Sequence, residues 1–252
     1  MRIRTVTAAV ALATAAGVVA AGSGTANAEG ARRPGVTGAT GAATPAVGPA
    51  AIITVIKTGY DIYKTFLQGG LSVKDATSQI ITAINGAKTE IIAHIDAIAT
   101  AQAKACAEEA VVDFPSFEAL SPDNQQLFAL NATSCVTLID SLLTTVADKG
   151  AVDQLGFAVN SIGPIMLIVR SRTGLSNTGV TPILVSDNQT VMTQLNPSCV
   201  KLPEPGSPGE FLCTSYNGDT GQGTVAIARS EAGARTSWAV AKAVLPTLTS
   251  LP

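Results

Sequence analysis

Past residue 50 the hydrophobic positions fall into a helical rhythm. In "AIITVIKTGYDIYKTFLQGG" (51–70), Ile52, Ile56, Tyr63 and Phe66 return at spacings that place them on one face, and Gly69-Gly70 ends the segment. A second helix starts at Ser72. "SVKD" sets Asp75 three residues after the hydroxyl, an approximate capping box whose acid suits the positive end of the helix dipole. Ile80, Ile84, Ile91, Ile95 and Ile98 then recur at helical spacing, with Gln102 and Cys106 extending the face until Pro115 forbids continuation. One helix from about residue 73 to 111 would be roughly 58 Å long, which is long for a compact domain, and Gly86 is its weak point.

"SPDNQQ" is a third start, with Ser121 as N-cap, Pro122 in the first helical position and Asp123 beside it. Leu127, Leu130, Cys135, Leu138, Leu142 and Val146 are the expected buried stripe, and "DKG" at 148–150 the finish, with Gly150 as left-handed terminator. The fourth helical segment, "AVDQLGFAVNSIGPIMLIVRSR", carries no charge from Leu155 to Val169. Leu155, Phe157, Ile162, Ile165, Met166, Leu167 and Ile168 make it apolar on all sides, and Pro164 is expected to kink it. Such a segment is either a buried centre or membrane-seeking, and fifteen residues fall short of a full span.

After Arg172 the texture changes. "GVTPILVSD", "TVMTQL", "EFLCTSY" and "GTVAIARS" favour strands, separated by Pro203, Pro205 and Pro208 and by the turn-like "YNGDTGQG". "EAGARTSWAVAKAVLP" reads as a short terminal helix anchored by Trp238, Val240 and Val244. The fold class expected is therefore mainly α: an antiparallel helical bundle or long helical hairpin over 51–174, then a small β-containing region with a C-terminal helix over 175–252.

The N-terminus changes the setting. "MRIR" is a basic start, "TVTAAVALATAAGVVAAG" an apolar run, and "TANA" ends in the small-x-small pattern of a cleavage site after Ala28. Residues 1–28 thus read as a secretory signal, and 29–50, rich in Gly, Ala, Pro and Thr, as a disordered linker. Export makes the four cysteines two disulfides; the pairs nearest in sequence are preferred, Cys106 with Cys135 and Cys199 with Cys213. A hairpin turning at 115–121 would set Cys106 opposite about residue 128, so the first pair requires an asymmetric connection or a shortened helix. Removing the signal leaves 14 basic against 18 acidic residues, a balance that gives no footprint for nucleic acid or anionic lipid. The Ala-rich, Lys-poor style is that of a high-GC Gram-positive bacterium.

Candidate chemistry is sparse. His94 is the only histidine, with Glu90 four residues before it. On a helical wheel Ile84, Ile95 and Ile98 cluster around Ile91, while His94 falls to one side of that cluster and Glu90 further round on the same side. The pair thus flanks the apolar face, a boundary histidine beside an i,i+4 acid and a weak candidate for pH sensitivity. One histidine without C-x-x-C argues against a metal centre. There is no G-x-S-x-G, no P-loop and no dinucleotide fingerprint, and Glu108 and Glu109, as neighbours on a helix, point apart. No catalytic residue and no cofactor are implied. The expected function is non-enzymatic binding or structural interaction with an extracellular protein or the cell envelope. The alternative is a membrane-acting role: long amphipathic helices around the apolar 155–169 segment resemble the architecture of secreted α-helical pore-forming proteins.

Overall fold

The computed structural model describes residues 49–203 and 209–252. The expected signal at 1–28, the expected linker as far as residue 48, Pro205 and Pro208 lie outside the described residues. The described chain is mainly helical, with a small three-stranded antiparallel sheet near its C-terminus.

Helix α1 spans Pro49–Leu67 and buries Ile52, Ile56, Tyr60 and Tyr63. Gly69, at φ 77°, supplies the left-handed turn that ends it. The stretch expected as one helix from 73 to 111 is three: α2 (Val73–Gly86), α3 (Lys88–Asp96) and α4 (Ala101–Asp113). The first break follows Gly86, at Ala87, with φ −125° and ψ 16°. All three pack on one helix, α6 (Lys149–Arg172), whose 24 residues are about 36 Å long. A straight rod of 39 residues could not keep its whole apolar face on so short a partner. Three segments can, and Ile80, Ile84, Ile91, Ile95 and Ile98 are all buried.

Helix α5 (Pro122–Leu143) starts as expected, with Asn124 N donating to Ser121 Oγ at 3.4 Å. Its buried face is not the expected one. Leu127 and Leu130 are 56% and 46% exposed, while Phe128, Ala129, Ala132, Cys135, Val136, Ile139 and Leu143 are buried. That face, which carries Phe128, Val136, Ile139 and Leu143 beside two alanines, is buried because α5 packs against both α4 and α6. Gly150 terminates nothing. Asp148 caps α6 instead, its carboxylate accepting from Ala151 N at 2.8 Å, and Gly150 sits in the first turn.

Helix α6 is the core of the protein. Helices α1 to α5 pack against it, as do α7 (Thr181–Gln194) and α9 (Ser237–Leu248), and every residue from Leu155 to Val169 is buried. It is assigned as one helix through Pro164. Gly59 on α1 accommodates that ring: a Cβ there would lie 3.0 Å from Pro164 Cβ.

The strand reading of three of the four runs after Arg172 is corrected. "GVTPILVSD" and "TVMTQL" lie largely in α7, and "GTVAIARS" runs into α8 (Val225–Ala232). Strands β1 (Ser198–Lys201), β2 (Phe211–Thr214) and β3 (Thr220–Gly223) hold four residues each. Thr181, Leu184, Asp187, Asn188, Val191 and Leu195 recur at helical spacing, and burying that face overrides the strand preference of Val and Thr. Helices α7 and α9 share one core with α1–α6, extending from Ile52 to Leu248, and Trp238, Val240 and Val244 are buried in it. A separate small cluster of Cys213, Ala228 and Ala232 joins α8 to the sheet.

Both expected disulfides are present. Cys106–Cys135 has Cα atoms 5.5 Å apart, and Cys199–Cys213, directly opposed across β1 and β2, 4.0 Å. The register difficulty is resolved by a 3-10 turn at Phe114–Ala119 that follows α4, so reversal waits for Leu120 and Ser121, both extended. Those two residues straddle the midpoint of the sequence between Cys106 and Cys135.

Candidate functional site

Three places combine polar or exposed groups with an identifiable surround. The first is the neighbourhood of His94. Its ring stacks on Phe157 of α6, centroids 4.3 Å apart and planes 16° inclined. Burial holds its pKa below the ordinary histidine value, against the opposing charge of Asp153. Glu90 lies in the first turn of α3. Among the described residues no group of three or more His, Cys, Asp or Glu is placed to hold a metal ion. A depressed histidine pKa means the unfolded chain takes up the proton first, so this residue weakens the fold as pH falls.

Asp153 does more than oppose that shift. Its carboxylate accepts from Tyr216 Oη at 2.7 Å and from Ser237 N at 2.5 Å. Ser237 opens α9, whose N-cap Thr236 offers no side-chain cap. Asp153 therefore caps α9 from another helix and ties down the turn after β2. Burial, then the bond to Asp153, pushes the Tyr216 phenol pKa up. Asp153→Ala should cost about 2–3 kcal/mol, since a helix cap and a side-chain hydrogen bond are lost together, and Asp153→Asn should cost less. Urea denaturation reads this directly; an unchanged midpoint for Asp153→Ala would rule out the capping role.

The second place is a sealed polar seam between α1, α5, α6 and α7. A Cβ added at Gly156 would meet Val191, and one at Gly163 would meet Leu184, so α6 and α7 run antiparallel with Asn160 level with Asp187 and Asn188. The two asparagine amides donate one turn back, Asn160 to Gly156 O at 2.9 Å and Asn188 to Leu184 O at 2.8 Å. Asn160 Oδ1, Asn188 Oδ1, Asp187 Oδ2 and Tyr60 Oη then have no hydrogen-bond partner among the described residues. Asp187 is 1% exposed. Burial first, then its hydrogen bond with Asp140 and that residue's charge, lifts its pKa to about 8. At neutral pH Asp187 holds a proton and donates it to Asp140 of α5. Burial raises the Tyr60 phenol well above its usual range, so it stays neutral. Tyr60, Asn160 and Asn188 are fully buried, which makes the seam a structural feature that no substrate reaches.

The third place is open. A groove follows the α4–α5 seam as two cavities, of about 290 Å³ and 330 Å³, that share Glu109, Phe128 and Asn131. The disulfide Cys106–Cys135 lies along it with Ala110 and Ala132. The exposed Leu127 lines one end, and Leu130 is exposed on the same helix. Its charged lining is acidic throughout: Glu109 and Asp113.

The expected site residues thus separate. Leu155, Phe157, Ile162, Pro164, Ile165, Met166, Leu167 and Ile168 are all buried in α6, and the cysteines bound the groove and the sheet. Sequence reading missed Tyr60, Asp140, Asp153, Asp187 and Tyr216. One signal was there for Asp187: a lone acid spaced helically with Leu184 and Val191. No family model, curated protein or solved structure matches the chain.

Proposed function

We propose that this is a secreted, non-catalytic bacterial protein that binds an extracellular or cell-envelope partner through the α4–α5 groove. The observation that carries the reading is the outward placement of large apolar side chains on α5, Leu127 in the lining of a groove walled by two disulfide-linked helices and Leu130 exposed on the same helix. Two disulfides are compatible with an extracellular protein. Leu127→Asp with Leu130→Asp alters exposed positions only, so the fold should survive while a ligand retained from culture material in a pull-down is lost. Retention of no cell, polymer or protein ligand by the native protein would end this reading.

A second reading has its own support. Helices α5 and α6, separated only by residues 144–148, are both long and apolar enough to cross a membrane; the α6 window is 94% buried, the α5 window 39%. Released as a hairpin, they would form a membrane-acting element. The disulfide ties α5 to α4, so release is expected to be stronger under reducing conditions. Dye leakage from liposomes tests this. Ile165→Asp or Leu167→Asp should abolish leakage, and intact vesicles at every pH and redox condition tried would exclude the reading.

A further inference from the structure

The α4–α5 groove is about as long as four turns of helix, and we propose that its occupant is a basic amphipathic helix of the partner, an assignment that rests on the binding reading above. Along α5 the lining runs from Asn124 to Leu138, about 21 Å or four helical turns. The floor is small, with Ala110 and Ala132 beside the disulfide and Phe128 at the centre. A groove of this form takes a helix through apolar anchors spaced i, i+3, i+4 and i+7.

Charge selects the kind of helix. The lining contributes Glu109 and Asp113 and no base. The cations nearby are engaged elsewhere: Lys104 pairs with Asp96 at 2.8 Å, Arg172 with Glu118 at 3.4 Å, and Lys88 Nζ donates to Val112 O at 3.2 Å. An acidic helix or an anionic lipid headgroup would meet like charge, whereas a basic flank would be drawn to both carboxylates. Asn131 Nδ2 donates to Glu109 Oε1 at 3.4 Å, a long exposed bond across the groove that an entering helix displaces at small cost. The disulfide holds the two walls at a set spacing, so little ordering is needed on binding.

The test is fluorescence anisotropy with a labelled Leu/Lys peptide of about 15 residues whose leucines follow the i, i+3, i+4, i+7 pattern. Two controls accompany it: the same peptide with Glu for every Lys, and a Leu/Lys scramble without the helical period. The patterned basic peptide should bind, with each control at least about tenfold weaker. Leu127→Asp with Leu130→Asp should weaken it at least about tenfold even though that variant adds negative charge. Glu109→Gln with Asp113→Asn should weaken binding and flatten its salt dependence. Equal binding of the scramble, or unreduced binding to the Asp variant, would overturn the proposal, because charge alone would then suffice. Self-association of the native protein that the Asp variant abolishes would overturn it as well, giving the groove to a second copy. If the peptide fails while the Asp variant still loses its ligand in the pull-down, the helix assignment is wrong and the binding reading stands.

Discussion

Gly163→Ala should destabilise the protein by more than about 3 kcal/mol, above the usual range for core overpacking. A Cβ at this position would overlap the Tyr60 hydroxyl oxygen and lie 2.9 Å from Tyr60 Cζ and 3.3 Å from Leu184 Cδ2. Neither helix can yield cheaply, because α6 is packed by seven others and Tyr60 is fully buried. Tyr60→Phe alone should be neutral or stabilising by about 1 kcal/mol, since the hydroxyl is buried without a hydrogen-bond partner among the described residues. In the double variant the oxygen is gone but the ring stays close, so part of the loss should be recovered. Denaturation of the four proteins measures that coupling. If Gly163→Ala lies within about 1 kcal/mol of the native protein in both backgrounds, α1 can withdraw from α6 at little cost and the close approach is not a constraint.

Asp187→Asn should make the protein more stable at and above neutral pH and flatten its pH dependence. The folded pKa of Asp187, about 8, lies above the ordinary carboxylate value near 4. Below pH 4 or so, both states hold the proton and nothing is lost. Between about 4 and 8 the unfolded chain has released a proton that the folded chain keeps, so the folding equilibrium constant falls roughly tenfold per pH unit. Above about 8 both states are ionised and the penalty stays constant. Asp140 on α5, Tyr60 on α1, and Asn160 and Asn188 in the seam offer Asp187 no positive charge to offset ionisation. The asparagine keeps the shape, donates to Asp140 and cannot ionise. Urea titrations across the pH range should give coincident curves in acid that separate steadily towards pH 8. Parallel curves throughout would mean that Asp187 is ionised in the fold. His94 contributes the opposite slope, with stability lost on acidification below its ordinary value, so over that window it offsets the Asp187 slope and flattens the pH dependence of the native protein.

Legibility tracked the distance over which each feature is decided. The starts at Ser72 and Ser121 were readable because a cap is a bond to a residue three positions on. The isoleucine face from Ile80 to Ile98 and the apolar run in α6 were readable because periodicity and hydrophobicity are local. The face of α5 was misread because two overlapping apolar faces that share Cys135 were plausible, and only packing against both α4 and α6 chose the one with Phe128, Val136 and Ile139. Asp148 was read as the end of one helix and proved the start of the next, since Asp before Gly suits either role until the neighbouring segments are placed.

By itself, then, the amino-acid order determined that helices begin at Ser72 and Ser121 and that the isoleucine face and the α6 run leave water, and it favoured the nearest-neighbour cysteine pairs without fixing them. Those are questions of backbone bonds within a turn and of transfer from water. The tertiary structure alone decided that one long helix becomes three, that 181–194 is helical, that Asp153 caps a helix 84 residues away, and that Asp187 keeps its proton. Each of these depends on what lies opposite: the length of α6, the carboxylate of Asp140, the bare Cα of Gly163. A side chain's protonation and a helix's buried face are set by the field and volume of groups distant in sequence, and those exist only once the chain has closed around α6.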